Sequence, residues 1–273
     1  LLIEGAVNAL SENSDLGIVL FGDGEAIARK LSELEYDKDR LEVVATSEVV
    51  NNYDDPMQAI FMKNDSSLVK ALVALGERED INGLINASST GALIAGALRY
   101  VPAKELKRPA LCAILPAERG GFTCLVDTGA NIDCTPTQLL DFAKMGSDFM
   151  KEYYCIENPR IGLLSNGSEP NKGNKLVKAT HALLKEETGL NFVGNIEGNN
   201  ALSGDCDVLV CDGFAGNVLL KSIEGTAMFM GSMLKRMFKK NLLSMLGAIC
   251  CSSGLKSLMK LLDYREIGGT QFL

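Results

Sequence analysis

RIGLLSNGSEPNKGNKLVKATHALLKEE, residues 160–187, holds the pattern on which the fold turns. Its start, RIGLLSN (160–166), is a short apolar run, and its end, NKLVKATHALLKEE (174–187), has the period of an amphipathic helix. Between them lie Gly, Ser, Asn and Pro, the residues of turns and helix caps. A strand, a small-residue loop and a helix make the half-unit of a parallel sheet, and LNFVGNI (190–196) supplies the strand that follows.

The alternation extends both ways. Further strands are expected at LGIVLFG (16–22), LEVVAT (41–46), INGLINA (81–87), PALCAIL (109–115), FTCLVD (122–127) and DVLVCDG (207–213), with helices at 24–35, 66–79 and 135–154. The strand runs are apolar throughout, which suits strands buried on both faces. The fold class is therefore α/β, a mostly parallel sheet with helices on both faces. The exception is 109–127, where two strands meet across Glu118–Gly121 as an antiparallel hairpin, a piece that suits a second lobe. Without repeats or a low-complexity linker, residues 1–273 read as one α/β unit with two lobes. LLIEGAVNAL resembles the middle of a helix and GGTQFL the start of a segment, so the chain is expected to be clipped at both ends.

Composition removes several function classes. A net charge of −8, no tryptophan and 6 % aromatics disfavour nucleic-acid binding. The eight cysteines form no C-x-x-C pair and His181 is the only histidine, so no metal-site spacing exists and the cysteines read as reduced and mostly buried. No signal peptide is visible, and no apolar run nears the ~20 residues that span a bilayer. P-loop, dinucleotide-fingerprint and G-x-S-x-G patterns are absent, and His181 lies inside the 174–187 helix, where a packing or solvent-facing role is expected.

Four strand ends are rich in small polar residues: Ser88-Ser89-Thr90-Gly91, Asp127-Thr128-Gly129-Ala130-Asn131, Ser165-Asn166-Gly167-Ser168 and Asp212 through Asn217. Each could be an ordinary cap or turn. Together on one side of a sheet they describe a cleft suited to phosphate and a carbonyl, because ligands collect at the carboxyl ends of such strands. A second feature stands apart from them. Between Gly225 and Leu262 there is no acidic residue, while Lys235, Arg236, Lys239, Lys240, Lys256 and Lys260 are interleaved with Met, Leu and Phe at helical spacing. Residues 226–262 read as a basic amphipathic helical hairpin, either core helices with a solvated face or a surface that meets something acidic or an anionic bilayer.

The stretches DDPMQAI (54–60), KNDSSLV (63–69), ASSTGAL (87–93), VDTGANID (126–133), NPRIGLLSNGSEPNKGN (158–174), NFVGNIEG (191–198), VCDGFAGNVLLKSIEG (210–225) and LDYREIGG (262–269) resemble the PlsX family, the bacterial phosphate acyltransferases of phospholipid synthesis. The resemblance implies a fold like isopropylmalate dehydrogenase and phosphotransacetylase, with the basic hairpin protruding. It implies transfer of a fatty acyl group from acyl carrier protein thioester to inorganic phosphate, without cofactor or metal. It also implies a homodimer that is cytoplasmic and peripherally associated with an anionic membrane surface. Because phosphate is itself the nucleophile, no catalytic Ser or Cys is required, and orientation and oxyanion stabilisation carry the reaction.

On that reading Ser88, Ser89, Thr90 and Gly91 bind phosphate, and Ser168 and Asn174 complete the anion site. Asn166 and Lys172 polarise the carbonyl, and Asp212 and Asn217 orient substrate. Asp127 and Asp212 serve equally well as turn-capping carboxylates. The six basic residues of the hairpin meet carrier protein, membrane or both. Family members commonly carry Asn or Ser before Thr-Gly where Ser89 stands, and they have an Asp- and Gly-rich first strand and a His-containing final segment that are missing here. The alternatives are a coenzyme A-dependent phosphate acetyl- or butyryltransferase, against which the basic hairpin argues, and a non-catalytic membrane scaffold that binds carrier protein.

Overall fold

The computed structural model describes residues 1–87, 89–101, 108–254 and 269–272. The chain divides into two compact units, Leu1–Lys107 and Arg108–Phe272.

The first unit runs α1 (Leu2–Glu12), β1 (Ile18–Gly22), α2 (Gly24–Leu31), β2 (Leu41–Ala45), α3 (Pro56–Met62), α4 (Ser67–Glu77), α5 (Thr90–Tyr100). β1 and β2 pair in parallel, with Ile18 opposite Leu41. α2 starts where the Asp23 carboxylate accepts the N–H groups of Glu25 and Ala26, a cap that leaves Ile27 and Leu31 to face Val7, Leu10 and Leu41. A second cluster joins α3, α4 and α5 through Ile60, Leu68, Leu72, Leu93 and Ala97.

Residues 81–87 correct the sequence reading, for they form no strand. Asn82, Gly83 and Asn86 are poor strand formers, and Ile85 is 97 % exposed while only Leu84 packs against the core cluster of α3, α4 and α5. An apolar average concealed the lack of a continuous face to bury.

The second unit runs β3 (Ala110–Pro116), β4 (Phe122–Val126), α6 (Pro136–Tyr154), β5 (Arg160–Ser165), α7 (Lys175–Glu186), β6 (Asn191–Glu197), β7 (Val208–Val210), α8 (Gly213–Phe238), α9 (Leu242–Cys250), β8 (Gly269–Phe272). The sheet order is β6-β5-β7-β4-β3-β8. β6, β5, β7 and β4 are parallel, while β3 is antiparallel to both β4 and β8, so the expected hairpin is present.

Side chains alternate across a strand, and the alternation shows which helix covers which face. Val126 and Val208 meet α6 at Gly146, where an added Cβ would press on Val208 and touch Val126. Their neighbours Leu125 and Leu209 join Leu219, Leu220 and Ile223 of α8. Helices therefore pack on both faces. α8 is continuous across the expected start of the hairpin at 226, and a turn at Lys239–Asn241 leads into α9, which Asn241 caps through Ser244 N–H at 2.8 Å.

Candidate active site

β5, β7 and β4 are neighbours in the sheet and run in one direction, so their carboxyl ends open on one edge. Three of the four polar corners, at Asp127, Ser165 and Asp212, therefore lie side by side. The fourth does not follow a strand and belongs to the first unit. There Ser89 caps α5 by accepting Ala92 N–H at 3.4 Å, with Thr90 and Gly91 exposed at its first turn. Ser88 lies outside the described residues.

The Asp127 corner is scaffold. Its buried carboxylate accepts five hydrogen bonds, from the backbone N–H groups of Leu111, Gly129, Ala130 and Asn131 and from Asn131 Nδ2. The Asn131 carbonyl in turn accepts Gly213 N–H at 2.8 Å, landing the start of α8 on the corner. The landing is close: a Cβ on Gly216 would run into the Asp127 carbonyl oxygen. Asn217 lies over Gly129, its Cγ 3.8 Å from where a Cβ would stand.

Between the other two corners is a pocket of about 310 Å³, lined by Ser165, Asn166, Gly173, Asn174, Cys211 and Asp212 over a floor that includes Leu139 and Leu163. Two helices begin at it. Asn174 caps α7 by accepting Val177 N–H at 2.9 Å, and Asp212 caps α8 by accepting Ala215 N–H at 2.8 Å through Oδ1. The first-turn N–H groups of Lys175 and Leu176 have no helix carbonyl within reach, and the dipole of α7 adds positive potential there. Both features favour an anion.

The loop from β5 to α7 is tied at its base by Gly173 N–H donating to Asn166 Oδ1 at 2.9 Å. Gly173 has φ +95°, and a Cβ there would overlap Val177, so glycine is required by conformation and by space. The Lys172 stem crosses Gly167, whose added Cβ would lie 2.7 Å from Lys172 Cγ. Lys172 makes no ion pair among the described residues. Of the expected site residues, Asn166, Asn174 and Asp212 line the pocket. Ser168 and Lys172 lie on its loop, and Asn217 lies one helical turn beyond Gly213.

Two pocket residues were given no role from the sequence, although Ser165 stands in one of its four polar corners. Ser165 ends β5 with its side chain buried, and its hydroxyl has no hydrogen-bond partner among the described residues. Such a group costs about 1–3 kcal/mol of desolvation unless a ligand or water satisfies it. The available signal was parity: Ser165 shares a strand face with buried Leu163. Cys211 is the second. Burial, then the carboxylates of Asp212 and Asp127, raise its thiol well above the ordinary value. Nearby Cys134 is pushed up to about 11, chiefly by burial. Neither supplies a thiolate at neutral pH.

The basic helices open outward. On α8 and α9, Met228, Phe229, Met237, Leu243 and Leu246 are each more than half exposed, which departs from a core pair. Lys235, Arg236, Lys239 and Lys240 lie among them, while Lys256 and Lys260 lie outside the described residues. No helix among the described residues is long and apolar enough to cross a membrane.

Comparison with known proteins follows the same direction. Residues 1–273 match the family described as fatty acid synthesis protein. A phosphate acyltransferase from Clostridium perfringens is 41 % identical over 273 residues, covering 100 % of this chain and 80 % of its own. Another from Brevibacillus brevis is 42 % identical over 270 residues, covering 98 % of this chain and 79 % of its own. Among solved structures, a phosphotransacetylase from Streptococcus pyogenes superposes with a TM-score of 0.62 at 16 % identity, covering 83 % of this chain and 78 % of that one, a likeness of fold.

Proposed function

The chain belongs to the fatty acid synthesis protein family, whose matched relatives are phosphate acyltransferases, and on that premise we propose that its acyl donor is acyl carrier protein and that transfer takes place in the pocket between α7 and α8. The protein is an acyltransferase that passes an acyl group to phosphate. The observation that carries the placement is the buried, unpartnered Ser165 hydroxyl beneath the start of α7.

In this reading phosphate sits against the first turn of α7, donated to by Ser165 Oγ and by N–H groups beside Asn174, with Ser168 at the rim. Asp212 Oδ1 is occupied by Ala215 N–H, and Oδ2 accepts the phosphate P–OH. A phosphate oxygen attacks the thioester carbon and forms the new C–O bond. Lys172 and the Asn166 amide meet the developing oxyanion, Asn217 holds the acyl carbonyl, and the C–S bond breaks to release the carrier as a thiolate, which takes its proton from solvent. Fixed donors and fixed geometry supply the acceleration. Attack is direct, because the Cys211 thiol in the pocket is held protonated by burial.

The Ser89-Thr90-Gly91 corner is the competing phosphate seat. The exposed apolar faces of α8 and α9 are assigned to a second copy of the chain. Lys235, Arg236, Lys239 and Lys240 are assigned to acidic carrier protein and to an anionic membrane surface.

The test is phosphate-dependent thiol release, with palmitoyl acyl carrier protein and palmitoyl coenzyme A compared as donors. Release preferring the carrier-protein thioester, with Ser165→Ala raising the phosphate KM about tenfold and Ser89→Ala leaving it unchanged, is the expected result. Equal use of coenzyme A overturns the donor assignment. A KM effect confined to Ser89→Ala moves phosphate to α5.

A further inference from the structure

His181, read from the sequence as a packing or solvent-facing residue, is wired to the active-site loop. It lies on the inner face of α7, 9 % exposed, with its ring edge-on to Phe192 at 5.0 Å. Its Nδ1 is 3.0 Å from Asn195 Oδ1 on β6, and Asn195 is also buried. The other end of the Asn195 amide, Nδ2, donates to the Glu169 carbonyl at 2.8 Å. Since Asn195 presents its oxygen to the ring, Nδ1 must carry the proton.

The Glu169 carbonyl has a second donor, Lys172 N–H at 3.0 Å. One backbone oxygen thus joins the His181–Asn195 pair to the residue whose side chain crosses Gly167. The remaining fixed point of the loop is the Asn166–Gly173 bond at its base. Without the Asn195 contact the turn from Glu169 to Lys172 would be held, among the described residues, only through its own backbone.

We propose that His181 is a positioning residue for Lys172: by donating to Asn195 it fixes the amide that clamps the Glu169 carbonyl, on which the backbone of Lys172 docks. The proposal rests on Lys172 meeting the reacting anion. It assigns a kinetic role to a side chain that touches no substrate and lies behind the loop.

The test compares His181→Phe, which keeps an aromatic ring against Phe192 but removes the donor, with His181→Asn, whose amide N–H falls near the position of Nδ1–H. Loss of one buried hydrogen bond at this point is expected to lower kcat about tenfold in His181→Phe while the acyl-donor KM stays within about twofold. His181→Asn is expected to recover most of that loss. Hydrogen exchange measured on folded protein is expected to accelerate in the 166–174 segment of His181→Phe and to be unchanged in β4 and α6. Should His181→Phe fail to fold, Asn195→Ala removes the same link with a smaller side chain and takes its place. Parental kcat and parental exchange in the donor-less variant overturn the proposal, as does a loss that His181→Asn leaves unrepaired. Failure of the parent protein to transfer acyl groups to phosphate from any thioester instead overturns the active-site reading, so the two failures are distinct.

Discussion

Gly216→Ala puts the seating of α8 to a quantitative test. A methyl on Gly216 would run into the Asp127 carbonyl oxygen, with the carbonyl carbon at 3.0 Å and Cys211 Sγ at 2.8 Å. None of these can yield, because Asp127 is locked by the hydrogen bonds to its own carboxylate and Cys211 is buried. The start of α8 must retreat by about 1 Å. Overpacking of this kind costs about 3 kcal/mol. For a unit of this size that lowers Tm by about 9 °C. The retreat also displaces Asp212 and Ala215, which line the pocket, and a misplacement of that size costs about a hundredfold in rate. Gly225→Ala is the internal control: it lies in the same helix with nothing within 4 Å of the added methyl. There the helix gains about 0.8 kcal/mol, so Tm rises by about 2 °C with the rate unchanged. Thermal melts followed by circular dichroism, paired with phosphate-dependent thiol release, read both effects. Parental Tm and rate in Gly216→Ala would refute the close seating. A lowered Tm with an intact rate would show that the start of α8 does not shape the pocket.

Three further outcomes are expected. Cys211→Ala should keep its rate within about threefold, with a modest loss of stability from the lost packing, and a loss of a hundredfold or more would restore a covalent thiol route. Asp207 binds the side chain and backbone N–H of Arg160, and although burial opposes it, these bonds hold its carboxyl below the usual range. A depressed folded value gives stability that is present above the unfolded value of about 3.9 and lost as pH falls through the folded one. Asp207→Asn should therefore cost about 2 kcal/mol at neutral pH, a gap that narrows below about pH 4, and a gap independent of pH would remove the ion pair from the account. Finally, Lys239→Gln with Lys240→Gln should weaken binding to phosphatidylglycerol vesicles about thirtyfold, at about 1 kcal/mol per charge, and undiminished cosedimentation would overturn the membrane assignment.

The sequence carried the parallel core well because β4, β5 and β7 are short, largely apolar runs buried over most of their length, and such burial is what an apolar run reports. It misread 81–87 for the same reason in reverse: Ile81, Leu84 and Ile85 raised the average while Asn and Gly withheld a face. Three polar corners converged as expected because adjacent parallel strands end on one edge. Ser89 was different, since a helix cap looks alike whether or not a strand precedes it. The roles of Ser165 and His181 were illegible for a deeper cause, although the first stood in a named corner. The first matters because of a missing hydrogen bond, and the second because of a contact with Asn195 fourteen residues away. Neither property belongs to a residue alone.

α8 begins at the pocket and ends among exposed methionines without interruption, a span of roughly 39 Å at 1.5 Å per residue. It is held against the sheet from Gly216, pressed on the Asp127 carbonyl, to Ile223, which packs with Leu125 and Leu209. Beyond Ile223 the helix runs on to Phe238 as a cantilever of roughly 22 Å, carrying Lys235, Arg236 and the apolar surface around them. A partner seated on that overhang is joined to the pocket wall by one unbroken strut, so its distance from Asp212 is set by helix geometry and not by a loop.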